Sequence, residues 1–518
     1  MLSLDSFRAG DSAANLTQAQ ELYRAGEFAR CHESLDALPQ DASVVFQRIE
    51  LLFRERKYAQ ALSELSNCQV LLRNDEPRRS ILLGAAKCYT GDFAAGSHHF
   101  AQAENALSKD DALMLQLAHH RGVAAWAMRD DAAAARDAAL LEESTAATYR
   151  GLGLVLHSWI DVRRGDTPSQ VKRLLLALDA FEGAAEPDAY CIAKTIYTVA
   201  ALCRDIYLPK ATRRLKRAVD RVRWSDGLCV ERYQITRFLG WIEAVSGNEL
   251  AAFRLFKQSA ALAPSNEWKL LALLDRAQLA RSRGEDAFAL DELYEAHALA
   301  SEINWKNLHH EERSALIVLA ELFAHVEPKI ATRYLQEFAA LPPVEASIAY
   351  SADRRVNAFA AYSAGIAHKQ LGNGAAALGA LTDAWETFEQ YSYGWRSALA
   401  AAAIFELTGA RTWLSRAQHA IAPWPNSWIA RKVARLDADK PPTAKLTSMQ
   451  RRIYESLLAG HSTKDIAENL GRSPNTIRNH IAAVFLAFRV KSRAQLLSTT
   501  FALSNLRSAE QAFTQASA

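Results

Sequence analysis

Residues 239–264 read LGWIEAVSGNELAAFRLFKQSAALAP, and this stretch decides the fold. On both sides of Gly247-Asn248, apolar residues recur at the three- and four-residue spacing of an amphipathic helix. A glycine just past a helix end can take the left-handed cap conformation, and an Asn or Asp after it can accept the free N–H groups of the next helix. The stretch therefore predicts two helices joined by a tight turn.

The same succession of helix, short polar break and helix recurs from about residue 15 to residue 435. Successive breaks lie roughly 31 to 45 residues apart, which is the period of helix-turn-helix repeats. This period predicts an all-α fold in which residues 1–435 form an α-solenoid of about eleven helical hairpins. The breaks are Ala25-Gly26-Glu27, Arg56-Lys57, Gly91-Asp92, Arg129-Asp130-Asp131, Gly165-Asp166, Arg204-Asp205 before Pro209, Gly247-Asn248, Gly284-Glu285, Glu327-Pro328, Gly372-Asn373 and Gly409.

Three of these units resemble tetratricopeptide repeats: AAKCYTGDFAAGSHHFAQA at 85–103, the stretch at 239–264, and YSAGIAHKQLGNGAAALGALTDA at 362–384. In each, a small residue precedes the core positions of the first helix, and Ala with Phe or Leu recurs in the second. Small residues let paired helices approach, and stacked neighbours bury the faces that one hairpin cannot bury alone. The resemblance implies a sensor or interaction region that receives a protein, a peptide or a small molecule.

Positive charge is concentrated at the C-terminal end of the chain. The whole chain carries a net charge of +3, whereas residues 443–507 hold ten basic and three acidic residues, a net +7 that leaves −4 for the remainder. This asymmetry predicts an anionic partner for that end only. The polar stretch 436–445 contains Pro441-Pro442, which cannot continue a helix, so we expect a linker there. A separate domain at 446–507 and a disordered tail at 508–518 complete the predicted organisation.

Four helix starts are visible in residues 446–507. Three of them have the spacing of a capping box, and the fourth places a proline at the first helical position after a serine. Gly471 lies where a helix-turn-helix needs a residue that can take a positive φ. The four starts are Thr447 with Gln450, Ser462 with Asp465, Ser473 before Pro474, and Ser492 with Gln495.

This four-helix segment resembles the DNA-binding domain of LuxR-type bacterial transcription factors. The resemblance implies a helix-turn-helix domain whose third helix, at 474–488, enters the major groove of double-stranded DNA. The matching residues are Leu446-Thr447, Leu457-Leu458-Ala459, Gly460, Ser462, Lys464, Ile466-Ala467, Leu470, Ser473, Thr476-Ile477-Arg478, His480, Val490 and Ser492-Arg493.

The resemblance also assigns roles to single residues. Arg478, Asn479 and Ala482 would face the bases, since Arg suits guanine, Asn suits adenine and a methyl group suits thymine. A second set would hold DNA phosphates and fix the register, and a third would form a dimer stripe on the last helix. The backbone-contacting set is Ser462, Thr463, Lys464, Thr476, His480, Lys491 and Arg493, and the dimerisation set is Leu496, Leu497, Thr500 and Phe501.

The segment departs from the family pattern in two places, and several assignments have alternatives. Met449-Gln450 replaces the usual Arg-Glu pair, which affects an internal ion pair. Ala487-Phe488-Arg489 replaces a stretch that carries a lysine, so Arg489 would have to supply that phosphate contact. Arg478 and Asn479 could be solvated residues without a base contact, and His480 could be a cap or packing residue. The stripe on the last helix could be core packing against the first helix.

The sequence offers no pattern for catalysis or for a cofactor. It has no G-x-x-x-x-G-K-[ST] motif and no nucleophile with a recognisable base. Neighbouring histidines, as at 98–99, 119–120 and 309–310, point about 100° apart on a helix and suit no single metal ion. Scattered cysteines, the absence of a secretory signal and the absence of a long apolar run predict a cytoplasmic protein.

Taken together, the residues and the resemblances predict a sequence-specific DNA-binding transcription regulator and no enzyme. The expected partners are double-stranded DNA, RNA polymerase, a second copy of the chain on DNA, and an effector at the solenoid, with no membrane. The alternative is a helical-repeat adaptor whose C-terminal domain binds protein. A steep dependence of affinity on salt would favour DNA, because phosphate contacts release counterions.

Overall fold

The computed structural model describes residues 4–108, 112–308, 310–341, 354–438, 446–488 and 490–500. Within these residues the chain forms helices joined by short turns, and no strand is present. The helices are α1 Leu4–Ala25, α2 Phe28–Asp36, α3 Ala42–Arg54, α4 Tyr58–Asn67, α5 Glu76–Tyr89, α6 Phe93–Ala106, α7 Leu113–Ala127, α8 Asp131–Glu142, α9 Ala147–Arg164, α10 Thr167–Glu182, α11 Ala189–Asp205, α12 Pro209–Val219, α13 Cys229–Val245, α14 Glu249–Leu262, α15 Asn266–Ser282, α16 Asp286–Ala300, α17 His310–Phe323, α18 Pro328–Ala340, α19 Arg354–Gln370, α20 Gly374–Gln390, α21 Gly394–Thr408, α22 Arg411–Ile421, α23 Trp428–Ala438, α24 Ser448–Leu458, α25 Thr463–Leu470, α26 Pro474–Phe488, and α27 at 493–500.

The described helices α1 to α22 pair in order into eleven hairpins, and α23 packs on the last of them. The predicted all-α solenoid of about eleven helical hairpins is therefore confirmed. The predicted domain end at residue 435 lies inside α23, which continues to Ala438. The rest of the predicted linker, with Pro441-Pro442, lies outside the described residues, as does the tail at 508–518.

The turn inside each hairpin follows the chemistry of its break. In nine of the eleven described hairpins the turn contains a residue with positive φ, and in the other two the second helix starts at a proline, Pro209 or Pro328. Seven of the nine are glycines, and the other two are Arg56 and Arg129, with φ of 60° and 63°. A search for glycines alone would therefore miss two of these turns, where an arginine takes the left-handed conformation at a steric cost.

The expected capping after these turns is only partly present. Asp92, Asp130 and Asp166 each accept a hydrogen bond from a backbone N–H in the first turn of the following helix. Asn248 and Asn373 make no such bond, so the prediction was wrong for these two residues. The Asn248 side chain instead donates to the Glu243 carboxylate at 2.7 Å.

Small residues let the paired helices approach closely, as predicted. In the hairpin of residues 239–264, a Cβ atom on Gly240 would lie 2.6 Å from the Phe256 ring. In the neighbouring turn of the solenoid, a Cβ atom on Gly153 of α9 would lie 2.7 Å from the backbone oxygen of Ala138 in α8. Any larger residue at these positions would have to push the two helices apart.

The solenoid winds into a superhelix whose successive turns touch. Hairpin 1 meets the region of hairpins 6 and 7, where the Gly227 N–H donates to the Gly26 oxygen at 3.0 Å. Hairpin 6 meets hairpin 11, where the Trp395 indole N–H donates to the Arg204 oxygen at 2.8 Å. About five hairpins therefore complete one turn of the superhelix.

The interior of the second superhelical turn is filled with side chains. One continuous hydrophobic cluster runs from Val162 to Val433 and includes the fully buried Trp395. Some of the polar groups inside it form hydrogen bonds, as where Arg237 and the Trp241 indole both donate to Asp275. The inner helices of this half of the solenoid therefore pack directly on one another.

Candidate nucleic-acid interface

Helices α24 to α27 have a hydrophobic cluster of their own, separate from the solenoid clusters. Its centre is formed by apolar residues at helical spacing on the inward face of each helix. The fully or almost fully buried members include Ile453, Leu457, Ile466, Ile477, Val484 and Leu496. The C-terminal domain thus has the core that the periodicity predicts.

The helix starts that surround the turn are built by local hydrogen bonds. Thr447 with Gln450 forms a complete capping box, and so does Ser462 with Asp465, as predicted. The hydrogen bonds from Ser462 lower the pKa of Asp465 below its usual range. The third predicted box is only half formed, because Ser492 accepts from the Gln495 N–H while the Gln495 side chain accepts from the Lys491 N–H.

Gly471 ends α25 and turns the chain into α26. Its φ of 60° is left-handed, and its N–H and that of the next residue satisfy carbonyl groups at the end of α25. Ser473 then accepts from the Thr476 N–H at 3.2 Å, so Ser473 caps α26 just before Pro474. These bonds fix the angle between α25 and α26, which is the angle that presents α26 outward.

The three residues predicted to read bases lie on the outward face of α26. Arg478, Asn479 and Ala482 are exposed, whereas Ile477 and Val484 on the opposite face are buried. The Arg478 guanidinium donates to the Asn475 side chain at 2.8 Å, which holds it along the helix surface. The helix therefore leaves a polar stripe free of packing.

The predicted phosphate-contacting residues are distributed around this stripe. Ser462, Lys464, Thr476 and Lys491 are exposed, whereas Thr463 and His480 are half-buried. The seventh, Arg493, is half-buried and donates to the Leu457 oxygen at 2.9 Å. The Arg493 contact ties α27 to the end of α24, so Arg493 has a structural role that the motif alone did not indicate.

The predicted dimer stripe divides into two kinds of residue. Leu496 is completely buried in the domain core, and Thr500 shares a hydrogen bond with the Tyr454 hydroxyl at 3.3 Å. Leu497 is 37% exposed. Phe501 lies outside the described residues. Leu496 therefore packs in the domain core, as the alternative interpretation of this stripe expects. Leu497 stays available to a partner.

Two further residues on the outward face were not singled out from the sequence. Asn475 lies one turn before Arg478, and Leu486 lies one turn after Ala482 and is 80% exposed. Asn475 lies three residues before Arg478 and Leu486 lies four residues after Ala482, the spacings that place residues on one face of a helix.

Among the residues in the described ranges, no group of three or more His, Cys, Asp or Glu side chains could hold a metal ion. No described helix is both long enough and apolar enough to cross a bilayer.

No curated protein matches the chain significantly. Among solved structures, a Rap protein complexed with Competence and Sporulation Factor is 13% identical, covers 82% of this chain and 99% of its own, and has a TM-score of 0.36. The APC/C hetero-tetramer Cut9-Hcn1 is 12% identical, covers 94% of this chain and 90% of its own, and has a TM-score of 0.38.

The match to a family model is confined to the segment that contains α24 to α27. Residues 444–500 match the model described as "GerE: Bacterial regulatory proteins, luxR family". The matched range begins two residues before Leu446, the first residue of the domain core. The C-terminal domain of this chain, residues 444–500, is a LuxR-family helix-turn-helix domain.

Proposed function

We propose that this protein is a sequence-specific DNA-binding transcription regulator. The observation that carries the proposal is the outward face of α26, where Arg478, Asn479 and Ala482 are exposed in a LuxR-family domain. Arg478 would bind a guanine through two hydrogen bonds, and Asn479 would bind an adenine in the same way. Ala482 would offer a methyl contact to thymine.

The phosphate contacts would come from the residues that flank this face. Lys464 and Lys491 supply charge, Ser462, Thr463 and Thr476 supply short polar groups, and these contacts fix register without reading sequence. His480 and Arg493 are proposed to contribute as well, although Arg493 also binds its own domain. The net +7 of residues 443–507 favours the approach of this end of the chain to DNA.

We further propose that the protein works in the bacterial cytoplasm as a homodimer on DNA and acts on RNA polymerase. Leu497 and Phe501 would join the two copies, because Leu496 and Thr500 are engaged within the domain. A two-fold dimer places two recognition helices one helical turn apart, so the binding site would be a palindrome. No catalytic role is proposed.

The solenoid is proposed to receive the signal that sets the activity of the DNA-binding domain. The second candidate, an adaptor whose helix-turn-helix domain binds protein, would use the same exposed stripe, including the apolar Leu486. The two candidates differ in charge dependence, because a phosphate-binding surface loses affinity linearly in log salt.

Genome-wide DNA occupancy of the full chain tests the proposal. The wild type is compared with Arg478→Ala/Asn479→Ala and with Arg217→Ala, an exposed arginine of α12 in the solenoid. The regulator should give discrete peaks that share a short palindrome, and these peaks should vanish in the double variant but persist in the solenoid variant. Peaks that survive the double variant, or binding that is insensitive to salt, would support the adaptor.

A further inference from the structure

The first superhelical turn of the solenoid is hollow, unlike the second. It encloses a cavity of about 1170 Å³ that is lined mainly by the first helices of hairpins 1 to 6: α1, α3, α5, α7, α9 and α11. The corresponding inner helices of the second turn pack on one another around Trp241 and Trp395, whose rings stack at 6.0 Å. The same helical architecture is therefore filled by side chains in the second turn and surrounds a cavity in the first.

Aromatic rings line one side of the cavity. Tyr89 packs edge-on against Phe53 at 5.7 Å and shares a 2.9 Å hydrogen bond with His120. Farther along, Trp126 and Trp159 face each other with their ring centroids 5.0 Å apart. Such a wall favours a ligand with a flat ring system, because offset and edge-on ring contacts add to the burial of apolar area.

The charged groups of the cavity are tied to one another. Glu50 accepts from Arg78 at 2.9 Å and from Gln116 at 3.1 Å, and Arg54 is paired with Asp188. The lining contains four arginines against three acidic residues. The charge balance therefore favours a ligand that is anionic or rich in oxygen acceptors.

The unpaired polar atoms of the lining point to the same chemistry. Four lining residues carry a buried nitrogen without a hydrogen-bond partner in the described structure: Gln47 Nε2, Arg78 Nε, His119 Nδ1 and Trp126 Nε1. The Gln47 side chain is among the buried polar residues, at 6% exposure. Among the described lining residues, no buried side-chain oxygen lacks a partner. Gln47 Nε2, Arg78 Nε and Trp126 Nε1 can only donate, so the walls have a surplus of donors. Buried donors without partners destabilise a protein by about 1–3 kcal/mol each.

From these observations we propose that the hollow turn binds a small molecule with an aromatic ring body and carboxylate or carbonyl oxygens. This inference rests on the proposed function, since the molecule would be the effector of the regulator. The rings of the ligand would pack between the Tyr89 and Trp126 sides of the cavity, and its oxygens would accept from donors such as Gln47 and Arg78. A cavity of this size exceeds the roughly 300–1,000 Å³ of ordinary drug-sized sites, so it holds such a molecule with water.

Binding to the full chain is measured by calorimetry with two matched probes, naphthalene-2-carboxylate and 2-naphthylmethylamine. The two probes share the ring system and differ in whether they bring acceptor oxygens or a cationic donor. We expect the carboxylate to bind at least about 10-fold more tightly than the amine, since one extra buried hydrogen bond to a charged group corresponds to that factor. Equal binding of both probes, or binding of neither, would overturn the proposal.

Two variants test whether the carboxylate probe binds in the cavity. Val123→Trp fills the space beside α7 and should abolish carboxylate binding, whereas Val70→Trp, at a position 83% exposed outside the lining, should leave it unchanged. Gln47→Leu keeps the volume but removes a donor and should weaken binding several-fold, with Gln69→Leu at an exposed position as its control. If circular dichroism shows that Val123→Trp does not fold, the Gln47→Leu variant still tests whether the carboxylate binds in the cavity. Carboxylate binding that survives in a folded Val123→Trp, or that keeps its wild-type affinity in Gln47→Leu, would contradict this site.

DNA binding of the same preparations separates this inference from the proposed function. Probe binding that requires the cavity, in a protein that does not bind DNA, would retain the site and reject the regulator. DNA binding that depends on Arg478 and Asn479, without probe binding, would reject the site and retain the regulator.

Discussion

The Arg54 guanidinium at the end of α3 donates to the carboxylate of Asp188, which lies 134 residues later and caps α11. The guanidinium also lies over the Tyr23 ring, 3.6 Å from its centroid, and donates to the Tyr23 backbone oxygen at 2.9 Å. A single side chain therefore joins hairpins 1, 2 and 6. This junction closes the first superhelical turn and with it the wall of the cavity.

Arg54→Met is expected to loosen this closure. Removing one partner of a buried ion pair leaves the other charge unpaired, which destabilises by about 3–5 kcal/mol. Hydrogen exchange should therefore accelerate in α1, α3 and the start of α11 while α13 to α22 stay protected. Arg24→Met is the control, because the Arg24–Glu186 pair spans the same junction at the surface and should contribute under about 1 kcal/mol. Equal effects of the two variants would show that Arg54 does not hold the turn closed.

The cavity histidines should make the first turn sensitive to acid. Burial lowers the pKa of His119 to about 4, and burial followed by the neighbouring His119 lowers that of His120 well below the usual range. Between pH 6.5 and pH 4, His119 is protonated in the unfolded chain but stays neutral in the folded protein. The free energy of unfolding therefore falls as the pH falls through this window. His119→Gln should flatten the dependence by at most about 1.4 kcal/mol per pH unit.

The measurement is the melting temperature of the full chain at several pH values between 4 and 7. His98→Gln is the matched control, because His98 is an exposed histidine on α6. An acid dependence identical in His119→Gln and the wild type would contradict the assignment of a neutral buried imidazole.

Two glycines allow a matched test of helix approach. Gly153→Ala would place a methyl group 2.7 Å from the backbone oxygen of Ala138 and 2.9 Å from the backbone nitrogen of Glu142, atoms that cannot turn away. We expect a loss of about 1–3 kcal/mol from overpacking. Gly379→Ala, in the exposed middle of α20 with nothing within 4 Å, should instead stabilise by about 0.5–1 kcal/mol. Thermal unfolding of both variants measures the contrast, and a shift of the same sign in both would refute it.

Local signals in the sequence were sufficient for the repeat architecture. Nine of the eleven breaks combine a glycine or a proline with a change of apolar face, and both are short-range properties of the chain. The closure by Arg54 and Asp188 was not predictable, because it depends on residues that only folding brings together. Nor did the sequence indicate that Asn248 donates to Glu243 and leaves its helix uncapped, or that Arg56 takes a left-handed conformation. The hollow turn was equally hidden, since aromatic residues occur in the helices of both superhelical turns.

The C-terminal domain shows the same division between local and long-range information. The outward position of Arg478, Asn479 and Ala482 follows from helical periodicity and could be predicted. The different environments of Leu496 and Leu497 could not, because either neighbour on α27 can face α24 until the angle of the helix is known. The Arg493 bond to Leu457 likewise depends on how α27 returns across the end of α24.

Substitutions at Leu496 and Leu497 should separate folding from dimerisation. Leu496→Ala opens a cavity in the domain core and should destabilise the domain by about 2–5 kcal/mol. Leu497→Ala should leave the fold unchanged and instead weaken binding to a palindromic DNA more than binding to a single half-site. Circular dichroism with gel-shift titration on both DNAs gives the two readouts. A Leu497→Ala variant with wild-type preference for the palindrome would remove Leu497 from the dimer contact.

Salt titrations should distinguish residues that read bases from residues that hold phosphates. Lys464→Ala, which removes an exposed charge beside the proposed reading face, should reduce the slope of log affinity against log salt by about 1 and weaken all DNA sequences alike. Arg478→Ala should cost about 1–3 kcal/mol on the preferred site and relax the choice of one base pair. Arg217→Ala in the solenoid should change neither quantity. Fluorescence anisotropy with the selected palindrome and its single-base variants measures both effects. If Arg478→Ala lowered the affinity for every sequence equally, Arg478 would be a phosphate contact, and the reading of the major groove would have to come from Asn479 and its neighbours on α26.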